Sequence, residues 1–249
     1  MKRDITFELC AESLQACLAA GEGGAARIEL CSALSEDGLT PSHSLIKAAV
    51  ERSGLPIYVL LRPRAGDFVY TPDEFALIRE DLLHARTLGA SGFVVGVLRP
   101  DATIDIERTH ELVELAAPLE VTFNRAFDLT PSLDDALEDV LATGCRRILT
   151  SGGERDVLTG SANLRRLVEL AAGRIAIAAG GGLRIENAAL IAQQSKVSHF
   201  HGSLRQRASK AVFKKSEALP SVLQSTFMVD PDNIRALIRE LRDGPLEGY

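Results

Sequence analysis

Ile5-Thr6-Phe7-Glu8-Leu9-Cys10 and Arg27-Ile28-Glu29-Leu30-Cys31 share one pattern, a short strand-like run that ends in Glu-Leu-Cys. Strand side chains alternate faces, so Glu8 shares a face with Cys10 and Glu29 shares one with Cys31. If the two strands are parallel neighbours, two carboxylates and two thiols converge at one end of a sheet. The rest of the chain decides what kind of sheet that is.

Six further apolar, β-branched runs follow, at 57–62, 92–98, 120–125, 147–151, 175–179 and 198–202. The eight runs, with the first two at 5–10 and 27–31, start 22 to 35 residues apart, room for one strand, one helix and two short loops. Helical periodicity fills several of the gaps. Residues 73–88 carry Phe75, Ile78, Leu82 and Ala85 on one stripe, opened by Thr71-Pro72 and closed by Gly89. Helices are also expected over 105–117, over 132–142 behind Ser132 as N-cap, and over 231–241. Eight βα units with hydrophobic strands indicate an α/β chain, a (β/α)8 TIM barrel with a parallel eight-stranded barrel and outer helices. An open doubly wound sheet would carry a G-x-G-x-x-G turn after its first strand, and that turn here is Cys10-Ala11-Glu12-Ser13. One barrel domain over 1–249 is expected, with a long mobile loop at about 205–229.

Composition narrows the function. The chain has 249 residues, 46% hydrophobic and 25% charged, no Trp, and a net charge of −6. The acidic balance argues against a nucleic-acid footprint. No run of 18 apolar residues spans a membrane, and Glu8 interrupts any signal-peptide core, so a cytoplasmic protein is expected. Cys10, Cys17, Cys31 and Cys145 are then expected as thiols, and they form no C-x-x-C pair. Barrels with an exposed helical face often dimerise, so a homo-oligomer is expected.

A barrel's site lies at the C-terminal ends of its strands, and polar residues gather there. Glu8, Cys10, Glu29 and Cys31 are followed by Arg62-Pro63-Arg64, then Asn124-Arg125 with Asp128, and Thr150-Ser151-Gly152-Gly153. The last two strands add Gly180-Gly181-Gly182 and then His199, His201, Ser203 and Arg205. Fewer polar residues mark the strand starts. Two chemistries fit. Cys10 and Cys31 suit a soft ion, and Cu(I) is the softest common one, although free cysteines are also often small buried hydrophobes. Alternatively, Glu8, Glu29 or His201 moves a proton. Arg62, Arg64, Arg125 and Arg205, with Asp128, Ser151, Ser203 and the backbone at Gly180 and Gly181, would then hold a small anionic substrate, a phosphorylated one included. A third reading pairs the two glutamates with Arg62, Arg64 and Arg125 in a network that only closes the barrel top. His43, His84 and His110 fall on helical segments and are expected at the surface.

A set of short segments resembles the CutC copper-homeostasis family, which is distinct from the choline lyase of the same name. They are Phe7-Glu8-Leu9-Cys10, Ile28-Glu29-Leu30-Cys31-Ser32, Gly38-Leu39-Thr40-Pro41-Ser42, Arg62-Pro63-Arg64, Gly66-Asp67-Phe68 and Thr122-Phe123. Arg125-Ala126-Phe127-Asp128, Ile148-Leu149-Thr150-Ser151-Gly152, Gly180-Gly181-Gly182 and Phe200-His201-Gly202-Ser203 continue the series in order. The resemblance implies a (β/α)8 barrel, a cytoplasmic role in copper homeostasis and Cu(I) binding, with Cys31 and then Cys10 as ligands. Two positions depart from the family pattern. Asn124 stands where a His is usual, and Val69 where a Cys is frequent, so two donors are absent.

Overall fold

Residues 3–207 and 227–244 are described here from a computed structural model. Eight parallel strands close into a barrel in chain order, with β8 pairing back onto β1. The strands are β1 (Thr6–Ala11), β2 (Arg27–Leu30), β3 (Ile57–Leu60), β4 (Gly92–Val95), β5 (Glu120–Phe123), β6 (Arg147–Thr150), β7 (Ala176–Gly180) and β8 (His199–Gly202). The outer helices are α1 (Leu14–Gly23), α2 (His43–Arg52), α3 (Pro72–Thr87), α4 (Ile106–Ala116), α5 (Leu133–Thr143), α6 (Ser161–Ala171), α7 (Ile185–Ser195) and α8 (Pro231–Asp243). The barrel class read from the sequence is therefore the observed one.

Local chemistry explains the element ends. Thr71 and Glu74 form a capping box at the start of α3, with Pro72 in its first turn. Ser132 caps α5 by accepting from the Asp135 N–H. Three strands are shorter than their apolar runs by two residues or more. After β3, β4 and β5 the chain leaves the ladder to build the mouth, and Asn124 turns it into a 3-10 helix at Arg125–Leu129. Within the expected loop at 205–229, residues 208–226 lie outside the described residues. Its ends, Gln206–Arg207 (β9) and Phe227–Met228 (β10), pair as an antiparallel ribbon that the sequence reading misses.

Strand alternation divides the core in two. Outward-facing Phe7, Ile28, Val59, Phe93, Phe123 and Phe200 pack under the helices and are fully buried. The inward positions hold Glu8, Arg27, Glu29, Tyr58, Thr122 and His201 instead, all buried. That interior adds to one expectation: the strand starts hold fewer polar residues than the mouth, but several of them are ionisable. Arg27, Glu120, Arg147 and His199 all stand at or near them. At Arg27, Glu120 and Arg147 a charge leading into an apolar run reads as a solvated entry, whereas closure turns alternate positions inward.

Candidate functional site

The β1–β2 register sets the chemistry of the barrel. The strands are staggered by two residues, so Glu8 lies beside Arg27 and Cys10 beside Glu29. An unstaggered pairing would have set Glu8 against Glu29. The observed one gives each carboxylate a neighbour it can bond. Glu8 touches the Arg27 guanidinium, accepts from His201 Nδ1 at 2.8 Å, and lies 3.9 Å from Arg147 Nη1. The expected partners Arg62, Arg64 and Arg125 play no part in this cluster. Arg27 in turn lies 3.9 Å over the Tyr58 ring, and the Tyr58 hydroxyl donates to Glu120 at 3.1 Å.

These contacts decide the charges. Burial works to raise the Glu8 carboxyl, but the His201 hydrogen bond, Arg27 and Arg147 outweigh it and hold it at about 2. Burial works against the His201 cation, yet the carboxylates of Glu29 and Glu8 raise its pKa. Glu29 is raised by burial and by the Glu8 charge, with His201 pulling the other way. His199, two residues lower, is pushed down to about 4 by burial, Arg147 and Arg27, and is neutral.

Above Glu8 the thiols come together. Cys10 Sγ lies 3.8 Å from Cys31 Sγ and 3.8 Å from Glu29 Oε1. Donor atoms of Cys10, Glu29 and His201 all fall within 4.8 Å of one another. Glu29 Oε2 has no hydrogen-bond partner. The Cys31 hydrogen bond, burial and the nearby Cys31 and Glu29 raise the Cys10 thiol well above its ordinary range. Cys17 and Cys145 are buried elsewhere and are raised to about 12, chiefly by burial.

Over this floor the mouth opens into a cavity of about 730 Å3, within the usual range for a small-molecule site. Cys10, Glu29 and His201 line its floor, while Glu8 sits beneath and holds His201. Gly180 makes room for that arrangement, since a Cβ there would lie 2.5 Å from Leu149 and 3.1 Å from His201 Cβ. Gly181, Ser203, Arg125, Asp128, Arg62 and Arg205 also line the cavity.

The expected anion-binding residues have unequal roles. Arg62 is buried, and its guanidinium donates to the carbonyls of Glu36, Gly38 and Gly66, so it clamps two loops. Arg64 does not line the cavity. It pairs with Glu74 and Asp67, tying the loop after β3 to the start of α3. Arg205 pairs with Glu12 at 3.1 Å and lies over Phe227. Asp128 accepts from the Thr150 hydroxyl, from the Ser151 and Gly153 N–H groups, and from Arg125 Nε. Ser151 is fully buried beside it and accepts from Arg125 Nη2. Asn124 spends its Oδ1 on the Ala126 N–H. His43 and His84 bond each other at 2.9 Å on the surface, away from the mouth. Arg184, Asn233 and Gln206 complete the rim and were not anticipated, because nothing in their local sequence sets them apart.

The fold and this floor define a class: a parallel (β/α)8-barrel protein with a buried thiol–carboxylate–imidazole cluster beneath a polar mouth. The chain belongs to the CutC family, whose family model matches residues 5–206, and which is a copper-homeostasis family by name. A CutC family protein of Chromobacterium violaceum is 44% identical over 209 residues, covering 84% of this chain and 85% of that protein. One from Vibrio cholerae is 43% identical over 214 residues, covering 85% and 84%. A crystal structure of the Streptococcus agalactiae protein named CutC superimposes with a TM-score of 0.76. It is 33% identical and covers 80% of this chain and 98% of that one. Among the described residues, no helix is long and apolar enough to cross a membrane.

Proposed function

We propose that this chain binds Cu(I) through the thiolates of Cys10 and Cys31, with His201 as a third donor. The observation that carries the reading is the 3.8 Å separation of two buried thiols beside an imidazole. Soft thiolate ligands select Cu(I). A reducing cytosol, where thiols stay free, suits such a site. The neighbouring Glu29 favours a cation over a bare thiolate pair.

Titration of reduced protein with Cu(I) against a competing chelator tests this. Cys10→Ser/Cys31→Ser is expected to weaken binding at least 100-fold, and unchanged affinity would end the proposal. The raised Cys10 thiol sets the pH dependence. It carries its proton at neutral pH, so the ion must displace it. Apparent affinity should therefore rise from pH 6 to pH 8, and a flat profile would count against Cys10 as a ligand.

A cavity of about 730 Å3 exceeds what one ion occupies and favours a second reading. In it the barrel is an enzyme on a small anionic substrate, with Glu29 or His201 moving a proton and Glu8 positioning His201.

A further inference from the structure

Arg125 is built differently from the other arginines of the mouth. Its Nε is held by Asp128 at 2.8 Å and its Nη2 by Ser151 at 3.0 Å. Among the described residues Nη1 donates to no partner. Asp128 divides its charge among Arg125, the Thr150 and Ser151 hydroxyls and the Ser151 and Gly153 N–H groups, so Arg125 is aimed more than it is neutralised. The guanidinium rests against Gly181, where a Cβ would come within 3.1 Å of Cζ, and Gly181 has φ +103°. Only glycine meets both demands without strain. The N–H of Gly182 and the Ser203 hydroxyl face no hydrogen-bond partner among the described residues, and both residues line the cavity. Arg62 adds a buried positive charge, 3% exposed, with no carboxylate partner among the described residues.

The opposite end of the cavity differs. Glu29 is 5% exposed and lines the cavity, and its Oε2 accepts no hydrogen bond, with His201 Nδ1 4.0 Å away. A buried carboxylate oxygen that accepts no hydrogen bond calls for a donor, and the imidazole 4.0 Å away is too distant to be one. The two ends are close, because Arg125 rests on Gly181 while His201 rests on its neighbour Gly180.

We propose that the cavity binds a small hydroxylated phosphomonoester, its phosphate on Arg125, the Gly181–Gly182 turn and Ser203, and its hydroxyl on Glu29. This rests on the second reading above for the anionic ligand, but on no particular reaction. Arg125 binds through the planar fork that suits phosphate oxygens.

Calorimetric titration with inorganic phosphate and with glycerol 2-phosphate tests it. Both should bind saturably, glycerol 2-phosphate more tightly. Arg125→Ala should weaken both at least 10-fold. Glu29→Gln should remove only the advantage of glycerol 2-phosphate. Phosphate should bind the unmodified protein equally with and without a Cu(I) chelator present, which separates this site from the copper reading. Loss of a partner for Asp128 could unfold Arg125→Ala, so a second measurement uses the unmodified protein. Phosphate should protect Arg125 from phenylglyoxal. Absence of saturable binding, equal binding by folded Arg125→Ala, or no protection would overturn the proposal. Phosphate binding without turnover of any phosphomonoester would defeat the enzyme reading and leave the site standing.

Discussion

Glu8→Gln is expected to cost about 3–5 kcal/mol of stability at neutral pH, the usual loss when one member of a buried charge cluster is removed. The substitution keeps the shape and removes the charge. Arg27, which is 5% exposed, then faces no carboxylate at contact distance, and His201 keeps only a neutral amide oxygen in place of its 2.8 Å carboxylate partner. Urea unfolding followed by circular dichroism measures the loss, and a midpoint equal to that of the parent chain would refute the account. Acid adds a second readout. The Glu8 carboxyl falls from 4.5 to about 2 on folding, a linkage of about 3 kcal/mol at roughly 1.4 kcal/mol per unit. A depressed carboxyl stabilises fully above its unfolded value, so this contribution is present above pH 4.5 and is lost as pH falls towards 2. His201 runs the other way. Its raised pKa stabilises below about 6.5 and is lost as pH climbs through the folded value. The parent chain should therefore lose stability steeply below pH 4.5, and Glu8→Gln should show a shallower acid limb.

Gly92→Ala is expected to destabilise by about 1–3 kcal/mol, the range for overpacking a filled interior. A Cβ at Gly92 would lie 2.3 Å from Tyr58 Cε1 and 2.8 Å from the Glu120 carbonyl oxygen. The backbone contact cannot swing away, so the Tyr58 ring must move. Moving it breaks the stack under Arg27 and the bond to Glu120, which together support Glu8 from below. The loss should therefore be coupled to Tyr58. Thermal unfolding of Gly92→Ala, Tyr58→Ala and the double variant gives the coupling. The double variant should be less destabilised than the two single losses added together. Strict additivity would mean that the ring is not what the new methyl group meets.

Both substitutions act on the same buried layer, which local sequence pattern does not specify. The eight strands and four of the helices were legible because apolar periodicity is local, and each run declares its own type. Glu8 and Cys10 share a face for the same reason. Arg27 and Arg147 give no such local signal of burial, although Arg27-Ile28-Glu29-Leu30-Cys31 places Arg27 on the Glu29 face. The pattern names a shared face but not which face turns inward. Arg62 and Arg64 show what local sequence leaves open. Both follow β3 and look like anion binders, yet one spends its donors on loop carbonyls and the other on Glu74 and Asp67. A loop arginine's partners are set by where distant loops land.

The sequence alone therefore determined eight βα units, a barrel class, and a carboxylate and a thiol on one face of each of the first two strands. Only the tertiary structure decided that the strands slip by two residues, so that Glu8 meets Arg27 instead of Glu29. Only closure of β8 onto β1 brought His201 onto Glu8 from the far end of the chain. The physical reason is that face and period belong to each strand separately. Register and closure are set by the packing of all eight strands and their helices at once, and the chemistry of this mouth depends on both.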